Sequence, residues 1–227
     1  MNEATLMDLI LNPDKVPTYV SFAFLASLIL IVVALIVRGA MALVPRGIQN
    51  VVEAAAEFVL KTCHDSIGEE WGDKFFPLIG TLFMYILLCN YMGLIPGFIS
   101  PTQNINMTAS MAVPIFFATH YYGLKLHGPR YIKHFLGPIR SMAALPLMGF
   151  MFIIEIIGHI ARPITLSVRL FGNMFAKHLM LGVLGLLLPA VVPVLVLGLG
   201  VIVGVLQAYV FALLSILYLS GAVEEAH

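Results

Sequence analysis

Arg169 is the residue whose chemistry constrains this chain most. It stands in Arg162-Pro163-Ile164-Thr165-Leu166-Ser167-Val168-Arg169-Leu170-Phe171-Gly172-Asn173, within a region otherwise apolar enough to span a bilayer. A guanidinium keeps its proton in essentially any protein environment. Placing it at a bilayer centre costs about 2.5–3.5 kcal/mol on insertion scales. Such a charge lies near a helix end, is paired, or is set against something that moves through the membrane.

Other polar groups gather around it. Residues 141–188 also hold Ser141, Glu155, His159, Arg162, Thr165, Ser167, Asn173, Lys177 and His178. On an ideal helix Arg162 falls about 20° from Arg169, Glu155 and Asn173 about 40°, and His159 and Lys177 about 80°. These side chains share one broad face, which is expected to meet a partner, a hydrated cavity or both, and not lipid. His178 falls about 180° away, so it serves another wall or the helix is distorted there. Gly200, Gly204, Gln207, Phe211 and Ser215 form a second face further on. Gly200, Gly204 and Ala208 allow close approach of helices. Gln207, with both a donor and an acceptor, is expected to bond across to the first face.

The chemistry open to such groups is ion movement. Carboxylates, imidazoles and amides in membrane helices carry protons or organise water. Histidine titrates near neutrality. A fixed guanidinium repels a second cation or stabilises a passing carboxylate. The residues imply a route for H+ or Na+ with Arg169 as an electrostatic gate. Some of these groups also have plainer readings. Arg162, beside Pro163, reads as a structural anchor, Asn90 as a helix-packing amide, and His159 and His120 as structural. Gln207 as simple interhelical glue stays open, as does Glu155 as an arginine's partner.

The elements that must hold these groups are helices. Of 227 residues, 60% are hydrophobic and 11% charged, against about 25% charged in a soluble domain. The fold expected is an all-α integral membrane protein, a single membrane domain over 1–227. It has about five crossings, an amphipathic interfacial helix and a long tilted helical hairpin at the C-terminal end. The first crossing is 19–43, with its apolar core at 19–37, after a polar lead-in that does not look like a signal peptide. Residues 46–65 put apolar groups at helical spacing opposite Glu53, Glu57 and Lys61, the amphipathic pattern. Spans at 75–95 and 108–124 follow, separated by a polar loop at 96–107. The acidic stretch from Asp65 to Asp73 is expected to be solvated. The stretch 141–188 is far longer than one normal crossing. It is strongly tilted, or broken near Pro163. A turn at Pro189 and Pro193 precedes the last helix, 194–219.

Arg38, Arg46, Lys61 and Lys74 lie between the first two spans, and Lys125, Arg130, Lys133 and Arg140 precede the long stretch. The positive-inside rule makes both loops cytoplasmic, the N-terminus external and the C-terminus cytoplasmic. Two crossings within 141–188 would put the C-terminus outside. A zero formal net charge argues against nucleic acid. No phosphate loop or dinucleotide fingerprint exists. The histidines are too scattered for a metal site, and Cys63 and Cys89 have no metal spacing. No cofactor is expected.

The run Arg162 to Ala176 resembles the signature of subunit a of rotary F-type ATP synthases. Leu206-Gln207-Ala208-Tyr209-Val210-Phe211, then Tyr218-Leu219-Ser220 with Glu224-Glu225, resembles that family's C-terminus. Asn90-Tyr91-Met92-Gly93-Leu94-Ile95-Pro96 and Asn104 to Thr108 fit as well. The resemblance covers 75–227, the channel region, well and the first helix loosely. It implies a proton-channel stator subunit that binds no nucleotide and belongs to a proton-translocating complex of a bacterial inner membrane. The implied partners are a ring of c subunits, peripheral-stalk b subunits, the rest of the complex and membrane lipid. Arg169 would face the ring carboxylates and separate two aqueous half-channels. Asn173 and Gln207 match positions close to that arginine, and Glu155 and His178 match positions associated with the external half-channel. Arg162, His159, Lys177, Asn90 and Ser215 would be structural or channel-lining. His178 stands where bacterial relatives often carry a carboxylate, and Gly200 where they often carry histidine. Water or Glu155 would then complete the relay with His178, and the choice between H+ and Na+ stays open. A standalone secondary transporter should show an inverted repeat, and none is visible. A membrane scaffold would leave Arg169 without a task.

Overall fold

In the computed structural model the described residues are 17–39, 41–42, 44–95, 97–128, 145–187 and 192–224. The polar lead-in, Pro96, the basic residues Arg130, Lys133 and Arg140, His134, Ser141, Pro189 and Glu225 lie outside them. The described residues form α1 (Thr18–Gly39), α2 (Ile48–Ile67), α3 (Glu69–Met92), α4 (Ile105–His127), α5 (Leu145–Leu187) and α6 (Val192–Glu224). No strand occurs among them.

Four of these helices contain stretches long and apolar enough to cross a membrane: α1, α3, Gly149–Leu184 of α5 and Pro193–Val223 of α6. The chain is an integral membrane protein on that ground. α4, at 23 residues, is long enough but less apolar. Of the crossings expected, about five, the described residues thus provide four by length and apolarity.

α2 is amphipathic as its pattern requires. Val59, Cys63 and Ile67 are buried, while Glu53, Glu57 and Lys61 are exposed. Burial pushes the Cys63 thiol up to about 11, so it packs as a neutral group. At Gly68, φ 85°, the chain reverses and α3 begins. That left-handed backbone suits glycine. A Cβ on Gly72 would fall 2.5 Å from the His64 ring, so the two helices close tightly there. α3 therefore starts at Glu69, earlier than the span expected from residue 75. Glu69 and Glu70 occupy its first turn, where the helix dipole favours negative charge. As expected, the acidic residues Asp65, Glu69, Glu70 and Asp73 are exposed.

The core runs along α3. Phe75, Ile79, Phe83 and Ile86 recur at spacings of three and four and are all buried. They pack with Met111 and Ala112 of α4, Leu166 and Leu170 of α5, and Ala208, Phe211, Ala212 and Ile216 of α6. α1 packs separately through its first half, where buried Phe22 and Ala26 meet Cys89 and Met92 of α3.

The stretch expected at 141–188 is one helix, Leu145–Leu187, that continues through Pro163. Proline removes one backbone donor, and helical geometry persists across it. Pro193, expected in a turn, lies at the second position of α6. A helix start tolerates proline because its first N–H groups have no intrahelical partner anyway. The contacts between α5 and α6 run in opposite directions along the chain. Arg162 stacks on Tyr218, Asn173 bonds Gln207, and Lys177 lies at Gly200. The two helices form the expected antiparallel hairpin.

Candidate functional site

The polar face of α5 is an arc that turns from the open side of the molecule into its packing. Arg169 and Asn173 are exposed. Arg162 is half-buried, and the Glu155 side chain is 44% exposed. Further round, the His159 side chain is 13% exposed and Lys177 is 7% exposed. The helical angles place these groups correctly relative to one another. Burial then grades them, because only one edge of the arc meets α4 and α6.

Arg169 makes no ion pair or hydrogen bond among the described residues. It sits near the middle of the Gly149–Leu184 span. Thr165, Val168, Asn173 and Ala176 around it are exposed too. A guanidinium there is not a charge at a helix end reaching for water. It stands on a face the rest of the chain does not cover.

Asn173 reaches α6. Its Nδ2 donates to Gln207 Oε1 at 2.5 Å. Gln207 itself is buried, so the amide pair ties the exposed edge of α5 to the inside of the hairpin. Gln207 bonds across as expected, and the group it meets is Asn173.

One turn further, Lys177 lies in the contact between α3, α5 and α6. Its Nζ is buried and has no hydrogen-bond partner among the described groups. Gly200 makes room for it. A Cβ at Gly200 would fall 2.8 Å from Leu94 Cδ2 and 3.1 Å from Lys177 Cδ. Gly204 serves a different contact, since a Cβ there would meet Tyr91 and Asn90 of α3 at 3.3–3.5 Å. His178, adjacent in sequence, is exposed on another side of α5.

Asn90 is a packing residue, fully buried. Its Nδ2 donates to the Gly204 carbonyl at 3.2 Å and its Oδ1 accepts from Thr102 at 3.0 Å. Ser100 continues the chain, 2.6 Å from Thr102 and donating to the Cys89 carbonyl at 2.8 Å. This hydroxyl ladder seats the 3-10 turn Pro101–Gln103 against α3. The sequence reading did not single out Ser100 or Thr102. Polar residues in a loop before a helix carry no signal that they fold inward. Ser215 donates to the Phe211 carbonyl one turn earlier, so it is satisfied within α6.

The other half of α5 holds a separate cluster. His159 Nε2 is 3.3 Å from Glu155 Oε1. Its ring lies 5.1 Å from that of His120 on α4. Arg162 lies over the Tyr218 ring of α6 at 5.4 Å. Glu155 thus pairs with an imidazole, not an arginine. Tyr218 and His120 join the candidate groups here through tertiary contact alone.

The continuous helix separates Glu155 from His178. At 1.5 Å per residue Glu155 lies about 21 Å before Arg169, and His178 about 14 Å after it. No direct contact joins the two across that spacing, roughly 35 Å along the helix. The expected groups fall instead into two sets with Arg169 between them. No group of three or more acidic, histidine or cysteine side chains suited to a metal occurs among the described residues.

The ATP synthase A chain family profile matches residues 20–220. ATP synthase subunit a of Trichlorobacter lovleyi is 43% identical over 214 residues, covering 94% of this chain and 90% of the relative. Its counterpart in Geobacter sulfurreducens is 44% identical over 208 residues, covering 92% and 88%. Subunit a 1 of Syntrophotalea carbinolica is 41% identical over 209 residues, covering 92% and 87%.

Proposed function

The chain belongs to the ATP synthase A chain family, and from that premise we propose that it is the proton-channel stator subunit a of an F-type ATP synthase. In this role it is a non-catalytic subunit and holds no nucleotide. Its partners are the ring of c subunits, the peripheral-stalk b subunits and the rest of the complex. It sits in a bacterial inner membrane with the N-terminus external and the C-terminus cytoplasmic.

The observation that carries the reading is Arg169, exposed near mid-span on the uncovered face of α5. A lone guanidinium there requires a mobile anion opposite it, and a membrane-embedded carboxylate on each ring subunit is such an anion. Coulomb attraction favours its ionised form as it arrives. The carboxylate therefore releases its proton to the route on one side of Arg169. It takes up another from the route on the other side before it rotates into lipid. The same positive charge blocks a direct proton leak between the routes.

Asn173 and Gln207 hold α5 and α6 together beside Arg169 and provide amide dipoles near the exchange point. His178 and Lys177 lie on the external side. Glu155 lies on the α5 N-terminal side, which is cytoplasmic in this orientation. The basic residues before α5 support that orientation through the positive-inside rule. Arg162 is an anchor, held against Tyr218.

The test is Arg169→Ala in the complete complex, reconstituted with its partner subunits. Proton-driven ATP synthesis should fall to background while the chain still co-purifies with the complex. Normal synthesis in that variant would sink the mechanism. Running the wild type against separate H+ and Na+ gradients identifies the ion, with H+ expected.

A further inference from the structure

On the α5 N-terminal side of Arg169, side chains from three helices meet around one small cavity. His120 of α4, His159 and Arg162 of α5 and Tyr218 of α6 line it, with Thr119 beside them. Its volume is ≈ 10 Å³, about the room one water needs. Glu155 stands one helical turn from His159 and opens the cluster outward. Exposure falls from 44% for the Glu155 side chain to 13% for that of His159. The polar groups therefore lead from an open end to a closed one.

The charges limit what the cluster holds. Two imidazolium ions with ring centroids 5.1 Å apart would repel each other, and the Arg162 guanidinium adds a third positive charge. Glu155 at 3.3 Å stabilises one protonated ring. The pair is suited to carry a single excess proton. An imidazole can accept a proton on one nitrogen and release one from the other. Packing alone would not call for a carboxylate at the open end of an imidazole pair.

Resting on the reading of Arg169 as the divide between two routes, we infer that His120 and His159, with Glu155 at their open end, form the proton-relay group of the route on the α5 N-terminal side. A proton reaching the pair protonates one ring. The His159 N–H bond then breaks toward a Glu155 oxygen, the imidazole returns to neutral, and the carboxyl releases the proton to water. Among the described residues, the charged and titratable groups facing the pair include Glu155 and Arg162 on α5 and Tyr218 on α6. Arg162 lies about 10 Å from Arg169 along the helix, so the relay acts between the exchange point and the open end of the route and not on the ring carboxylate itself.

The experiment measures passive proton conduction through the reconstituted membrane sector between about pH 5 and 8. The variants are His159→Gln, His120→Gln and the double substitution. Each single variant should lower conduction by on the order of 10²-fold and flatten its pH dependence. The double variant should conduct no worse than the poorer single one, because the two rings work as one group. A pH curve of unchanged shape, or a double loss equal to the product of the single losses, overturns the inference. If the histidine variants do not assemble, Glu155→Gln decides, and normal conduction there overturns it. Arg169→Ala separates the two levels. Its failure to block synthesis removes the underlying reading, whereas a blocked Arg169→Ala beside unaffected histidine variants removes only the relay.

Discussion

The two halves of α5, before and after Arg169, use the same polar periodicity in opposite ways. Before Arg169 the ionisable groups find one another. Glu155 meets His159, His159 meets His120, and Arg162 meets Tyr218. After it, the groups are kept apart. Asn173 is tied to Gln207, Lys177 is buried with no hydrogen-bond partner among the described residues, and His178 is exposed on another side. The difference comes from the facing helices. The earlier half meets α4 and the end of α6, which supply an imidazole and a tyrosine. The later half meets the glycine-bearing start of α6, which supplies closeness and no partner for an ammonium. One helix thus presents two chemically distinct sets of groups on either side of a single exposed charge.

The largest effect on this contrast is expected from Arg169→Ala, which removes the divide and with it coupled synthesis. Gly200→Val should come next. Its Cβ would press on Leu94 and on the Lys177 stem, and overpacking of this kind costs about 1–3 kcal/mol. Thermal unfolding of the purified complex measures it. Adding Lys177→Ala should recover part of the loss, and strict additivity would show that the glycine does not house the lysine.

Lys177→Met should act with the opposite sign. A buried donor without a partner costs about 1–3 kcal/mol, so methionine should raise the melting temperature while changing proton conduction. A fall in stability would mean that Lys177 is satisfied in the assembled complex, which would erase the contrast between the halves. Tyr218→Leu should have a smaller effect, since stacking beneath a guanidinium is worth about 0.5–2 kcal/mol. Stability should drop modestly, with conduction changed less than in His159→Gln. Asn173→Ala should have the smallest effect on stability, because interhelical hydrogen bonds in membranes average roughly 0.6 kcal/mol. A large loss of stability there would make the amide pair the main tie of the hairpin.

Much of this was readable in the chain. Apolar runs of the right length located α1, α3 and α6 to within a few residues, apart from the early start of α3. Charge alternation identified α2 as amphipathic, and helical angles put the two most buried groups of the arc, His159 and Lys177, farthest from the exposed Arg169. Pro163 was less informative. A proline removes one hydrogen bond, and whether the helix breaks depends on the packing on either side. Angles alone also say nothing of the axial distance between Glu155 and His178. Angular position says which side of a helix a residue occupies, but a shared route also requires axial closeness.

The sequence by itself determined that this is a helical membrane protein with a charge it cannot discard near mid-span, because length, hydropathy and the 3.6-residue period act locally along the chain. Only the tertiary structure decided that Arg169 stays uncovered, that Lys177 is buried at Gly200, and that His120 joins His159. Those outcomes depend on which helix lies opposite. Residues far apart in sequence meet through packing, and no periodicity along one helix records what its neighbours bring.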